Sequence, residues 1–522
     1  MWLILILLVV LGALTYTFYF RNSKNIFQQH GILEIDTSPG ASKLDILLSR
    51  KGMSEWDTYA YKALGSEKFC GISQLGSSVI LVKDMDLIKK VFIKDFDYFM
   101  DRREFFSEAE ITVKKMLSVL EGEEWKNVRM TISPVFTSGK IRRMMSCFNE
   151  IGREWVENFM EKANNNPDGS VVIKVLDSVN QYTIDVISSA VFGMQSGTIK
   201  NPKSTFAVMA DRLTNFTKWQ LLKFAMATFL PNFVKILRLK LIDSQALEFF
   251  EGILDQGLKA RMSGSTTKRN DFLQLLVEAK KGELKAEGND ELSSFEKDAQ
   301  IEGGEKKKTW LTEQIMNSQT VGFLFAGAST VSNAISSAIY ALALNQDVQE
   351  RVRNEVKKII KPDGTLDYDD LSSLVYMDMV ISEVLRKFPA LTRLERKCVR
   401  DYRDAETGLF VPKGTLVIIP VHAIHHNPEY YEHPDKFYPE HFTPEKKCQR
   451  STYSYLPFGM GPRSCIGARF AMTEIKSAIA HVVNNFVIEP TAKTPVPLKG
   501  CWAGFMLLPP KGLELRLTPL KK

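Results

Sequence analysis

Few side chains in this 522-residue sequence carry chemistry, and Cys465 stands out first. It lies in FGMGPRSCIG (458–467), where three glycines, a proline and an arginine share ten positions. A helical pattern follows directly, with Ile475, Ile479, Val482 and Phe486 spaced as one buried face. A cysteine just ahead of a helix meets free N–H groups and the positive end of the dipole, and both favour the thiolate. Gly461 and Gly467 permit a close backbone turn, and Arg463 adds positive charge. Such a thiolate is a nucleophile or a metal ligand, whereas a lone cysteine elsewhere is usually an inert core thiol. The other five cysteines (70, 147, 398, 448, 501) stand singly with no C-x-x-C pair. That spacing gives neither a zinc site nor a disulfide framework, and it fits a reducing location.

Other candidates sit at helical spacings. Trp125 and Arg129 in EEWKNVR are four apart, and Glu383 and Arg386 in ISEVLRKF are three apart, so each pair shares a helix face. FLFAGASTVSNA places Ser329 and Thr330 after the small residues Ala326 and Gly327. Singly, each of these is commonplace: a surface ion pair, or a threonine bonded back to its own helix.

Together they resemble the cytochrome P-450 family. Its haem loop, F-x-x-G-x-R-x-C-x-G, is matched by Phe458, Gly461, Arg463, Cys465 and Gly467. The resemblance runs from about residue 60 to the end, through SPVFTSGKI (133–141) and HHNPEYYEHPDKFYPEHF (425–442), and is strongest to the animal microsomal, xenobiotic-metabolising branch. It implies that Cys465 is the thiolate ligand of a haem b iron, pushing electron density toward O–O cleavage. It implies haem-propionate contacts from Arg102, Trp125, Arg129, Arg393 and Arg463, with Phe458 against the haem. Ala326 and Gly327 would leave room for dioxygen, and Thr330 would organise proton delivery. Glu383 and Arg386 would form a buried core element. Two positions depart from the pattern. Ser329 stands where the family carries a carboxylate, and a hydroxyl passes a proton without storing one near neutral pH. His441, in PEHF (439–442), stands where the family carries an arginine, losing the rigid fork and permanent charge.

The same resemblance lines a substrate pocket with Phe105, Phe106, Phe325, Ala326, Ala390, Leu391, Trp502 and Phe505, an apolar set suited to a lipophilic molecule. No G-x-G-x-x-G or P-loop is present, so electrons must come from another protein. The expected donor is an NADPH–cytochrome P-450 reductase carrying FAD and FMN, with cytochrome b5 as a second donor. Lys126, Arg142, Arg143, Arg469 and Lys476 are the basic residues expected to steer it. The implied reaction inserts one oxygen atom of dioxygen into the substrate. The rivals are a peroxide-rearranging haem-thiolate isomerase or dehydratase, and a non-catalytic haem or lipid carrier.

The elements that must position these residues read as mainly α with a smaller β part. Residues 67–96 give short strands, a turn and a helix, and 105–260 are mostly helical. A helix capped by Thr312 runs to about Leu344, and strands with a turn close the chain. Residues 262–309, rich in Lys, Glu, Gly and Ser, read as a solvated loop. Trp2–Phe20 carry no charge over about 28 Å of helix, close to a bilayer core, and Arg21 and Lys24 follow. The expected organisation is a single-pass anchor (1–21), a connector (22–60) and a catalytic domain (61–522) on the cytosolic face of the endoplasmic reticulum. The apolar stretch 219–237 is expected to dip into the membrane surface. A net charge of +7 without a basic, aromatic-interleaved stripe argues against nucleic acid.

Overall fold

A computed structural model describes residues 27–42, 45–46, 50–74, 77–214, 217–229, 231–263, 271–283, 310–498, 501–503 and 506–521. The expected anchor, Phe505, and most of the 262–309 loop lie outside these.

The helices that matter for the site are α1 (Met53–Ala63), α2 (Gly122–Ile132), α3 (Met145–Asn164), α4 (Val175–Ile187), α5 (Lys218–Phe229), α6 (Glu313–Leu344), α7 (Val375–Lys387) and α8 (Ala468–Asn485). The longest, α6, has 32 residues, about 48 Å, and starts as its sequence predicts. The Thr312 hydroxyl accepts from the Ile315 N–H at 3.2 Å, and Glu313 fills the first turn. Residues 331–343 are buried throughout, so α6 is a core spine packed along α4 and α8. Among the described residues it alone is long and apolar enough to cross a membrane, and its burial in protein accounts for that composition.

The β part is built from strands β1 (Phe69–Gln74), β2 (Ser77–Val82), β3 (Val171–Lys174), β4 (Leu394–Lys397), β5 (Tyr402–Arg403), β6 (Phe410–Val411), β7 (Leu416–Ile419), β8 (Phe486–Pro490), β9 (Cys501–Ala503), β10 (Met506–Leu508) and β11 (Glu514–Pro519). The main sheet runs β1-β2-β7-β4, with β2 and β7 parallel and the other pairs antiparallel. Val79–Val82 are wholly buried, as expected for an apolar strand covered on both faces. A second sheet, β3-β11-β8, is antiparallel, and β9 and β10 pair as a hairpin.

Three expectations about elements need correction. Residues 171–174 form a strand inside the region read as helical, because Val171 and Ile173 pair with β11 far along the chain. Val421–His425, read as the end of a strand, is a short helix after Pro420. Phe486 opens β8, and α8 ends one residue earlier. The stretch 22–60, read as connector, contains folded parts. Phe27 is buried in the core around the main sheet, and α1 begins at Met53, with the Trp56 indole donating to the Ala41 carbonyl at 2.7 Å.

Candidate active site

The Cys465 loop owes its shape to local backbone bonds. The Cys465 N–H donates to Phe458 O at 2.8 Å, and the Ser464 N–H donates to Gly461 O at 2.9 Å. Gly461 has φ +71°, and a Cβ there would fall on the Phe92 carbonyl oxygen, so only glycine fits. Gly467 caps α8, and its N–H is directed to the sulfur. The thiol is accessible although protein surrounds it, which places it on an inward-facing surface. Burial pushes its pKa up, while the Gly467 N–H, Arg129 and Arg102 pull it down. The helix end therefore does not by itself make the thiolate the favoured form; a bound cation at the sulfur would.

Arginines gather around this loop. The Arg129 guanidinium donates to Ser464 O at 2.9 Å, and Arg102 donates to Arg463 O at 2.9 Å. Arg463 ties the loop to its surroundings, donating to the carbonyls of Met100 (2.8 Å) and Leu120 (2.6 Å) and lying 4.1 Å from the Trp125 ring centroid. All three are held below the ordinary arginine range by burial, Arg129 to about 10 and Arg463 furthest. For Arg463 the positive charges of Arg102, Arg396 and Arg129 add to the effect. The carboxylate nearest to balancing them is Asp101, 3.6 Å from Arg463.

Arg393 does not join them. Its Nε donates to Asp57 at 2.7 Å, its other edge meets the second Asp57 oxygen, and Glu395 lies 3.2 Å away. Its expected role as a propionate contact is therefore overturned: two carboxylates already satisfy its guanidinium. The residue the sequence reading missed is Arg396, three positions on. It is 1% exposed, its Nε has no partner among the described residues, and burial drives it well below the usual arginine range. Two arginines in LTRLER made the choice ambiguous, and only the Asp57 pairing resolves it.

On α6, Ala326 is exposed between buried Leu324 and Ala328, so the spine opens an accessible face at mid-length. Thr330, one turn on, donates its hydroxyl to Ala326 O at 2.6 Å, and Ser329 donates to Phe325 O at 3.1 Å. Both hydroxyl protons are thus committed to the helix, which leaves oxygen lone pairs to accept. Gly327 also serves the packing of α6. A Cβ there would meet Ile187 Cδ1 at 2.6 Å, so its smallness seats α6 against α4.

The apolar residues expected around the pocket fall on several elements. Phe106 is buried edge-on to Phe224 of α5, with Phe105 beside it. Leu391 bridges Met506, and Ala390 O accepts from the Leu507 N–H at 3.2 Å. Trp502 lies in β9, paired with Leu507. Phe458 packs half-buried against the core.

Glu383 and Arg386 form a fully buried pair, Nε to Oε2 at 2.7 Å and Nη2 to Oε1 at 2.8 Å. His441 completes it. Its Nδ1 lies 3.1 Å from Glu383 Oε2 and its Nε2 lies 2.7 Å from Glu432 O. Both nitrogens face acceptors, so the ring spans the gap between Glu383 and the Glu432 carbonyl. The departure at His441 thus leaves the motif geometrically closed.

The basic residues expected to steer a donor do not form one free set. Lys476 is buried on Asp378 at 2.8 Å and Leu371 O at 2.9 Å, so it is removed from that role. Arg142 and Arg143 are exposed, the former paired with Asp369 at 2.5 Å, and Arg469 donates to the Ser138 hydroxyl at 2.6 Å.

A haem fits this arrangement. Two propionates would find uncompensated cations at Arg396, Arg102 and Arg129, the ring would find apolar walls, and the iron would find the accessible Cys465 sulfur. The class so defined is a haem-thiolate protein. Comparison with known proteins agrees. Residues 47–516 match the family model described as Cytochrome P450. Cytochrome P450 9e2 of Blattella germanica is 35% identical over 508 residues, covering 94% of this chain and 93% of its own length. Cytochrome P450 3A9 of Rattus norvegicus is 33% identical over 524 residues, covering 99% and 96%. Probable cytochrome P450 6a13 of Drosophila melanogaster is 33% identical over 462 residues, covering 88% and 87%. The chain belongs to the cytochrome P450 family: it is a haem-thiolate monooxygenase with a haem iron cofactor, a redox partner and a small-molecule substrate.

Proposed function

We propose that the protein oxidises a lipophilic small molecule at a membrane surface, using NADPH-derived electrons delivered by an FAD- and FMN-containing reductase, with cytochrome b5 as an auxiliary donor. The observation that carries the reading is accessibility where the core would otherwise be closed: Ala326 is exposed on the buried helix α6, with Thr330 one turn on, and the Cys465 sulfur is accessible too. A thiolate-bound haem supplies dioxygen activation. The protein's own residues do the rest. Arg102, Arg129 and Arg396 hold the propionates, and Arg463 fixes the loop that carries Cys465. Thr330, its proton held by Ala326 O, accepts from a water and so orients that water's protons. Phe106, Phe105, Ala390 and Leu391 exclude water and offer no charge, which selects an apolar substrate.

The membrane reading is supported by exposed apolar side chains at the start of α5 and in the segment after it. Trp219, Phe233, Ile236 and Leu237 are 63%, 46%, 79% and 51% exposed, and α5 itself packs Ala225 against the N-terminal helix α1 at Met53 and Trp56. With the uncharged run at residues 2–20, this favours a single-pass anchor and a catalytic domain on the cytosolic face of the endoplasmic reticulum.

The test is reconstitution of the full chain in vesicles with a reductase. The reduced, carbon-monoxide-bound protein should show a thiolate-type Soret band, and apolar probes should raise NADPH consumption with oxygenated product. Isomerisation of a peroxide without NADPH, or haem binding without any turnover, would replace this reading.

A further inference from the structure

We infer that Asn333 is a positioning residue that fixes the wall of the substrate pocket by tying the β9–β10 hairpin to α6. The inference rests on the pocket assigned above. Asn333 is 3% exposed, in the most buried stretch of α6. Its Nδ2 reaches out of its own helix and donates to Leu507 O at 2.9 Å, while its Oδ1 has no partner among the described residues. Because Leu507 O is an acceptor, the amide orientation is fixed.

Leu507 is the junction of the tie. Its N–H donates to Ala390 O at 3.2 Å, and the neighbouring Met506 bridges Leu391. One residue, Leu507, thus links the hairpin both to α6 and to the loop after α7. Among the described residues, the hairpin's own ladder pairs only Met506, Leu507 and Leu508 with Ala503, Trp502 and Cys501. A two-stranded ribbon so short is marginal by itself, so its placement comes from such outside ties.

The tie also carries information to the site. Ala326, Thr330 and Asn333 are spaced i, i+4, i+7, one face of α6. Seven residues on, the Tyr340 hydroxyl donates to Pro495 O at 2.9 Å, a second tie from the same face to the same C-terminal segment. The helix that presents Thr330 therefore also sets how close Leu507, Ala390 and Leu391 stand to it. An apolar side chain at 333 would avoid the cost of a buried amide with an unpaired oxygen, so what the amide contributes is position rather than stability.

The experiment compares wild type with Asn333→Leu and Tyr340→Phe, all as full-chain holoprotein, by carbon-monoxide spectrum, hydrogen exchange over 501–508, and turnover of 7-alkoxycoumarins of increasing alkyl length. The Asn333→Leu protein should keep its thiolate-type spectrum and melting temperature. It should exchange about five-fold faster at Leu507 and flatten the chain-length preference in KM more than in kcat. Tyr340→Phe should shift the same readouts more weakly. Unchanged exchange in Asn333→Leu would overturn the tie, whatever the turnover. Faster exchange with an unchanged length profile would overturn its role in specificity. Faster exchange with no turnover of any probe by wild type would sustain the tie, overturn the specificity claim for these substrates, and count against the function proposed above.

Discussion

Two arginines three positions apart have opposite fates, and their burial alone does not distinguish them: Arg393 and Arg396 are 2% and 1% exposed. The difference is the partner. Replacing Arg393 with Met strands Asp57, whose carboxyl burial already pushes above its usual range, and should cost about 3–5 kcal/mol in the apoprotein and holoprotein alike. Replacing Arg396 with Met removes a cation that no described residue balances. The apoprotein should then be unchanged or more stable, while the haem-to-protein ratio after gel filtration falls. Equal haem loss in the two variants, measured at matched folding, would refute the assignment. The hydroxyls of α6 separate in the same way. Ser329→Ala should leave peroxide released per NADPH within about two-fold, since its bond to Phe325 O is partly buried, whereas Thr330→Val, which removes the hydroxyl beside the exposed Ala326, should raise it several-fold. Of the site, the family resemblance makes the Cys465 loop, the Trp125–Arg129 pair and the Glu383–Arg386 pair legible, because the motifs that carry it are short and local in sequence. Arg396 and Asn333 were not legible. Their roles depend on Asp57 and Leu507, which lie more than a hundred positions away and leave no periodic trace.

At the scale of elements, legibility follows the range of the interactions. The start and length of α6 are readable because the Thr312 cap, the acidic first turn and an unbroken apolar run are local signals. Thr312→Ala should therefore cost about 1 kcal/mol, read as a fall in the denaturation midpoint with an unchanged slope. Strand β3 was missed because four residues of alternation mean nothing until β11 arrives beside them. The helix at 421–425 was missed because its sequence continues the β-branched, apolar run of β7. The segment carrying His441 shows a third case, in which a broken pattern is repaired by geometry. The two ring nitrogens, one on Glu383 and one on Glu432 O, supply the link that a guanidinium would. His441→Leu, which keeps the volume and removes both bonds, should cost about 1–3 kcal/mol, and His441→Arg should recover most of it. A neutral His441→Arg effect beside a neutral His441→Leu effect would show that the ring is merely packed.

For the whole molecule, the buried ionisable groups set the shape of stability against pH. His422, His425 and His481 are pushed down to about 4, 3 and 4, burial being the first cause in each. They stay neutral when folded, yet take up protons below about 6.5 when unfolded. Their contribution is complete above about pH 6.5 and is lost as pH falls toward 4, so acid destabilisation should begin well above the ordinary carboxylate range. Glu474 on α8 works in the opposite sense. Both its oxygens lack a partner among the described residues, near the unpaired Tyr182 hydroxyl and Ser477, and burial raises its pKa well above the usual value. Its folded form keeps a proton that the unfolded form gives up above about pH 4.5, so its contribution is complete in acid and declines as pH rises. Above pH 6.5 the histidine contribution is level, and the Glu474 slope of up to about 1.4 kcal/mol per pH unit is left standing. Glu474→Gln removes the titration while keeping the shape. Its melting temperature should match wild type near pH 5 and exceed it increasingly from pH 6.5 to 8. Parallel curves across that interval would mean that water or a cation already compensates the carboxylate, and the polar pocket between α8 and α4 would then have to be read as hydrated.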